Sequence, residues 1–341
     1  MALVGVGLAG IAFAFDGPWA STLAHAHAAV TKAAQHLTED GSSAIRAREV
    51  LQASLEDAPE PSSTGGVARW ATYADPGVVS AALLSTTEDL RGMGLEHEGE
   101  LDSHHPAVVS FICSPADGVC AYAALDGGAF MRRGDETSCW QSGEPASAKA
   151  NVLHLPKRWC TELDAMVTHL SEMGLGMPVD VVRKRGAGRC EGLLEVLLAR
   201  ADVHVAPPCH ILPAQDYPPP QVLCAFDLLL REGGGRLSDV YGEPIELLAE
   251  MGAPLYSSSG AGAVQSAVPL RGLMATEDAM APYFARASRA AFPAAKGEID
   301  AYLDLLRLHD KTKLAAVKTK IVGLDGRELV SPKPNPNQPR L

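Results

Sequence analysis

Apolar positions recur at helical spacing through the first part of the chain. Leu23, Ala26, Val30, Ala33, Ala34 and Leu37 form one stripe between Trp19 and Leu37, which predicts an amphipathic helix. A second helix is predicted from Ser43 to Leu55 by Ile45, Val50, Leu51 and Leu55. Thr86 to His105, acidic and histidine-bearing, predicts a solvated loop.

In the second half, Leu153-His154-Leu155 predicts a strand and Cys160 to Leu170 a helix. The stretch from Arg183 to Pro244 then alternates glycine turns with apolar runs. Gly186-Ala187-Gly188 predicts a helix start, with Leu193, Leu194, Leu197, Leu198 and Ala201 at helical spacing behind it. Asp202 to Val205 predicts a short strand, followed by a proline-rich loop to Pro220. Cys224 to Glu232 predicts a second helix, stopped by Gly233-Gly234-Gly235. Arg236 to Val240 predicts a strand that ends in the Tyr241-Gly242-Glu243-Pro244 turn.

With 341 residues, 47% of them hydrophobic, the chain can bury a sizeable core. A net charge of −12 argues against nucleic acid as a partner, although a local basic pocket can still hold a small anion. The tail from Phe292 to Leu341 differs, with nine Lys or Arg against six Asp or Glu. It holds a predicted helix from Glu298 to Ala316 and then Pro/Asn-rich sequence, the layout of a docking element or of a frayed terminus. Seven cysteines without a CxxC pair predict free thiols in a reducing compartment, the cytoplasm or an organelle interior. His25 and His27, two apart on a helix, point to different faces and do not predict a shared metal. Met1 to Phe15 is apolar but shorter than a membrane span. It reads as a segment packed on the body, or as a targeting segment.

GAG, LLEVLLARADVHV and CAFDLLLREGGGRLSDVYGEP together resemble the C-terminal half of the inositol monophosphatase-like (FIG) phosphatases. Within that superfamily they are most similar to the 3'(2'),5'-bisphosphate nucleotidases. SAVPLRGLMAT followed by Pro282-Tyr283-Phe284 is similar to that group's end. The resemblance runs from about residue 20 to about residue 290 and is strongest from Ala107 onward. It implies a layered sandwich of the α+β and α/β kind, with helix and sheet layers alternating and a site between two subdomains. The segments expected are an apolar start at 1–18, an α+β part at 19–143, an α/β part at 144–292 and a basic extension at 293–341.

The resemblance also implies chemistry. The family runs from a Glu-Glu pair through a loop to a strand that ends in DPLDGT, which places a strand from Arg69 to Ala74 here, then to a hairpin that Val108 to Phe130 matches with Ser114-Pro115-Ala116-Asp117-Gly118 as its turn, and later to a Trp-Asp pair. Those carboxylates hold magnesium ions that align a phosphate and activate water. In this chain the first glutamate falls on Leu55, leaving Glu56 beside it, and Asp75-Pro76 matches the opening of DPLDGT. Gly77-Val78-Val79-Ser80 follows, so Val78 replaces the second aspartate and Ser80 stands at the water-orienting threonine. Val222 replaces the aspartate of the Trp-Asp pair. Glu56 and Asp75 are therefore the metal-ligand remnants; Asp216 and Asp227 are the other carboxylates near the motif positions. Gly186, Ala187 and Gly188, with Arg185 and Arg189, read either as a phosphate cradle or as a tight packing turn. Lys157-Arg158 falls near the family's substrate-contacting stretch.

Two functions stay open. One is a magnesium-dependent phosphomonoesterase acting on 3'-phosphoadenosine 5'-phosphate or an inositol phosphate. The other, which the replaced ligands favour, is a catalytically inactive relative with a binding or assembly role. Its partner would be a protein held by residues 298–341 or 1–18, a small phosphorylated ligand, or a second copy of the chain.

Overall fold

The structure is a computed structural model that describes residues 19–39, 44–56, 69–85, 106–141, 151–155, 161–172, 179–183, 189–207, 217–245, 247, 272–277 and 280–292. The acidic loop at 86–105 lies outside them, as do the segments 1–18 and 293–341. Two helices open the chain, α1 (Ala20–Glu39) and α2 (Ala44–Glu56). They pack on each other and on the sheet that follows.

That sheet has six antiparallel strands in sequence order: β1 (Arg69–Ala74), β2 (Val79–Leu84), β3 (Ala107–Ser114), β4 (Val119–Ala124), β5 (Gly128–Arg133) and β6 (Glu136–Trp140). Its pleat sorts side chains by size. On the α1 side, Ala81, Phe111, Tyr122 and Phe130 stand in register, and their rings stack at 5.8 and 5.4 Å with His27 edge-on to Phe111. On the other side, Ala71, Ser80, Ala82, Ser110, Ala121 and Ala123 present small groups around a larger one, Ile112, so a helix can approach the backbone closely there.

The second half supplies that helix. It contains β7 (Asn151–Leu155), α3 (Thr161–Glu172), β8 (Val179–Arg183), α4 (Glu191–Leu197), β9 (Val203–Ala206), α5 (Pro220–Glu232), β10 (Gly235–Ser238), β11 (Leu273–Glu277) and α6 (Ala281–Ala291). Its sheet is mixed, in the order β10-β11-β9-β7-β8, with β7 parallel to both β8 and β9 and the remaining pairs antiparallel. Nearly every residue of α5 is buried, as expected of a helix packed on both sides. One side meets β1 to β4, the other β10 and β11. Helices α3 and α6 cover the outer face of the second sheet through Leu163, Met166, Leu170, Val203, Val205, Met274 and Phe284. The fold is thus an α+β layered sandwich of helix, sheet, helix, sheet and helix, with one apolar core continuous across α5.

Several expectations are corrected. Helix α4 starts at Glu191, past the glycines, and stops at Leu197 rather than Ala201, with Ala199 at φ 54°. Helix α5 starts at Pro220, four residues before Cys224, because proline at the first helical position has no amide to leave unpaired. The strand expected to reach Val240 ends at Ser238. Asp239, 1% exposed, turns the chain by accepting from the amides of Tyr241 and Glu243, both at 2.9 Å. Not all cysteines are free either. Cys113 and Cys120 form a disulfide, while Cys139, Cys190 and Cys224 are thiols outside any disulfide. The register explains the pairing. The Leu125 amide bonds the Val108 carbonyl, so hydrogen-bonded pairs alternate from there and place Cys113 and Cys120 opposite each other at a close, non-hydrogen-bonded position, Cα to Cα 4.1 Å.

Candidate functional site

The antiparallel register puts the β1–β2, β3–β4 and β5–β6 turns at one end of the first sheet. The first residues of α5 reach the same end. The carboxylate of Glu232, in the last turn of α5, accepts from the amides of Asp126 at 3.0 Å and Gly128 at 2.9 Å in the β4–β5 turn at the opposite end. The motif positions around Asp75 and Val222 are thereby brought to a common end of the molecule.

Asp75 occupies that end as the organiser of a turn. The β1–β2 connection is Asp75-Pro76-Gly77-Val78, closed by paired backbone bonds between Asp75 and Val78 at 2.9 and 3.3 Å. Proline at the second position and aspartate at the first are what such a turn favours. Asp75 Oδ1 accepts from the amides of Gly77 and Val78, both at 2.8 Å, and Oδ2 accepts from the Tyr73 hydroxyl at 2.8 Å. Burial raises the Tyr73 hydroxyl pKa far above its ordinary value, with Cys190 and Asp75 adding to the effect and Arg189 opposing it. Cys190 is likewise pushed well up, first by burial and then by Asp75, with Arg189 again opposing. The start of α4 therefore lies within electrostatic reach of the Asp75 turn.

The remaining motif positions are hydrocarbon or sealed. Val78 and Val222 are both 0% exposed and belong to the same apolar core. Ser80 is buried on the α5 side of the sheet, and its Oγ has no hydrogen-bond partner. Asp227 is buried within α5, where it raises the pKa of Cys224 after burial itself. Glu56 closes α2, but its side chain is outside the described part, as are Arg185, Gly186, Ala187, Gly188, Asp216, Lys157 and Arg158. Arg189 is described and exposed. Among the described residues, the motif positions do not fit the magnesium ions that the resemblance implies: Val78 and Val222 offer methyl groups, and the Asp75 carboxylate is taken up by its own turn. Among the described residues, no three His, Cys, Asp or Glu side chains converge as a metal site.

Pattern reading missed a second grip on this end. Arg200, just after α4, donates to Asp117 Oδ1 at 2.6 Å and to Glu195 Oε1 at 3.4 Å, while Ser114 Oγ donates to Asp117 Oδ2 at 2.6 Å. Asp117 lies in the β3–β4 turn, as expected, and its carboxylate ties that turn to the second half. A turn aspartate was legible in the sequence; its partner, 83 residues away, was not. His25 and His27 prove to be packing residues. The first has Nε2 at 2.8 Å from the Ser54 carbonyl, and the second lies against Phe111.

No family model matches the chain, and no curated protein matches it in sequence. Solved structures do. The chain is similar to inositol monophosphatase from Anabaena (15% identity, 80% of this chain, 96% of that one, TM-score 0.46). It is similar to SuhB of Mycobacterium tuberculosis (14%, 81% and 99%, TM-score 0.49). It is also similar to CysQ from Bacteroides thetaiotaomicron, a bacterial member of the inositol monophosphatase family (16%, 66% and 91%, TM-score 0.44).

Proposed function

We propose that this chain is a catalytically inactive relative of the inositol monophosphatase-like phosphatases, retained as a binding or assembly subunit. The observation that carries the reading is the state of Asp75, whose carboxylate serves the turn it sits in, while Val78 and Val222, at two of the motif's aspartate positions, are buried hydrocarbon. A magnesium-dependent hydrolase of this kind works by ions held on convergent carboxylates and has no side-chain nucleophile in reserve. The scaffold residues are in place: the α5 layer, the Asp239 turn and the clamp at Glu232. Binding would fall to the terminal segments 1–18 and 298–341, or to a small phosphorylated anion at Arg189 and the glycine turn before it.

Calorimetric titration with magnesium, followed in the same sample by phosphate release from 3'-phosphoadenosine 5'-phosphate, tests the reading. The expected result is neither binding heat nor release from folded protein, together with a protein captured by the full chain and lost when residues 298–341 are removed. Magnesium binding with release abolished by Asp75→Asn would establish the alternative, an active phosphomonoesterase.

A further inference from the structure

The Cys113–Cys120 disulfide is poorly placed to be a staple. It joins residues that already face each other across a hydrogen-bonded hairpin, and it closes a ring only seven positions long in sequence. Closing so short a loop removes less freedom from the unfolded chain than closing a long one would. Its position is otherwise informative. Cys113 is 3% exposed, whereas Cys120 is half-buried and stands opposite Arg132 on β5, so Cys120 is the more exposed partner of the bond. The bond lies next to the turn whose Asp117 is held by Arg200 of the second half, and Cys113 pairs with Val79, the first residue of β2 after the Asp75 turn. One covalent link thus borders two of the three turns at the end of the sheet where the halves meet. The odd cysteine count suits a reducing compartment, where a disulfide in a folded protein is transient rather than permanent.

We infer that Cys113–Cys120 is a reversible redox switch, opened by a dithiol reductant, that sets how firmly the β3–β4 turn is held against Arg200. A reductant thiolate attacks Cys120 Sγ, forming a mixed disulfide and releasing Cys113 as a thiolate that takes up a proton. The reductant's second thiol then attacks its own bound sulfur. Cys120 leaves as a thiolate and takes up a proton in turn. The protein gains two electrons and two protons, and the reductant becomes a disulfide. In the reduced chain the turn is held by hydrogen bonds and the Asp117–Arg200 pair alone. The switch stands whether or not the scaffold binds magnesium.

The test is native-state reduction of the full chain with dithiothreitol, followed by alkylation and amide exchange read by mass spectrometry. Cys113 and Cys120 are expected to label only after reduction and without denaturant, and to pair again under oxidised glutathione. Exposed Cys139, which labels in both states, is the internal reference. Amides in the β3–β4 turn and just after α4 should exchange about tenfold faster in the reduced chain, as local opening becomes easier. The Cys113→Ser/Cys120→Ser variant should exchange like the reduced chain. Labelling that needs denaturant, exchange unchanged by reduction, or two free thiols in untreated protein would each overturn the switch. If the double variant fails to fold, the reduced wild-type chain carries the comparison alone.

Discussion

Replacing Asp75 by alanine removes the acceptor of three hydrogen bonds at once, those from Gly77, Val78 and Tyr73. The expected loss is about 1–2 kcal/mol, the range for a capping carboxylate, and Asp75→Asn should lose less because an amide oxygen still accepts. Urea unfolding of the two variants checks the order. His27 offers a pH test. Burial first, and Arg132 second, lower its pKa from 6.5 to about 4. Between those values the unfolded chain takes up a proton that the folded chain refuses, so stability is full above pH 6.5 and declines as pH falls toward about 4. Because water still reaches part of the ring, the difference should be about 1–2 kcal/mol, less than full burial would give. His27→Gln should flatten this part of the pH–stability curve; a curve that keeps its slope would mean another group is responsible. At this scale the sequence made the motif positions legible but not their employment. Asp75 read as a ligand remnant, yet Asp-Pro-Gly also spells a turn, and only the hydrogen bonds show that the turn uses the carboxylate.

Two glycines carry the contacts between elements. A methyl on Gly233 would overlap the indole of Trp140, whose Nε1 donates to the Leu197 carbonyl at 2.8 Å. A methyl on Gly192 would overlap the imidazole of His204 under α4. Gly233→Ala and Gly192→Ala are each expected to cost about 1–3 kcal/mol through overpacking, measurable as a lowered unfolding midpoint. A variant at wild-type stability would show that the ring has somewhere to go. Several elements were legible because period and punctuation agree: α1, α2, α3 and β9 lie close to their expected positions, and the β3–β4 hairpin lies where the resemblance implied it. The misses have local causes. Proline at 220 read as loop although it opens α5, and Asp239 ended a strand that apolar alternation had extended. The Cys113–Cys120 pair depends on strand register, which cysteine counting does not supply.

Order in the chain and order in space diverge for α5. Its first residue, Pro220, follows the last residue of the sheet it covers, Trp140, by 80 positions, and Glu232 lies 106 positions from the Asp126 amide it caps. The alternation of layers was legible through the family resemblance, and the packing of α5 between both sheets gives it a physical basis. Glu232→Ala leaves two turn amides without their acceptor and is expected to cost about 1–3 kcal/mol, with faster amide exchange confined at first to the β4–β5 turn. During synthesis, the first sheet emerges from the ribosome with its small-residue face bare and keeps it bare until residue 232 has followed. Contacts this distant in sequence form late, and exposed strands invite aggregation in the interval. A nascent chain stalled before α5 should therefore be held by chaperones, while one released past α6 should not.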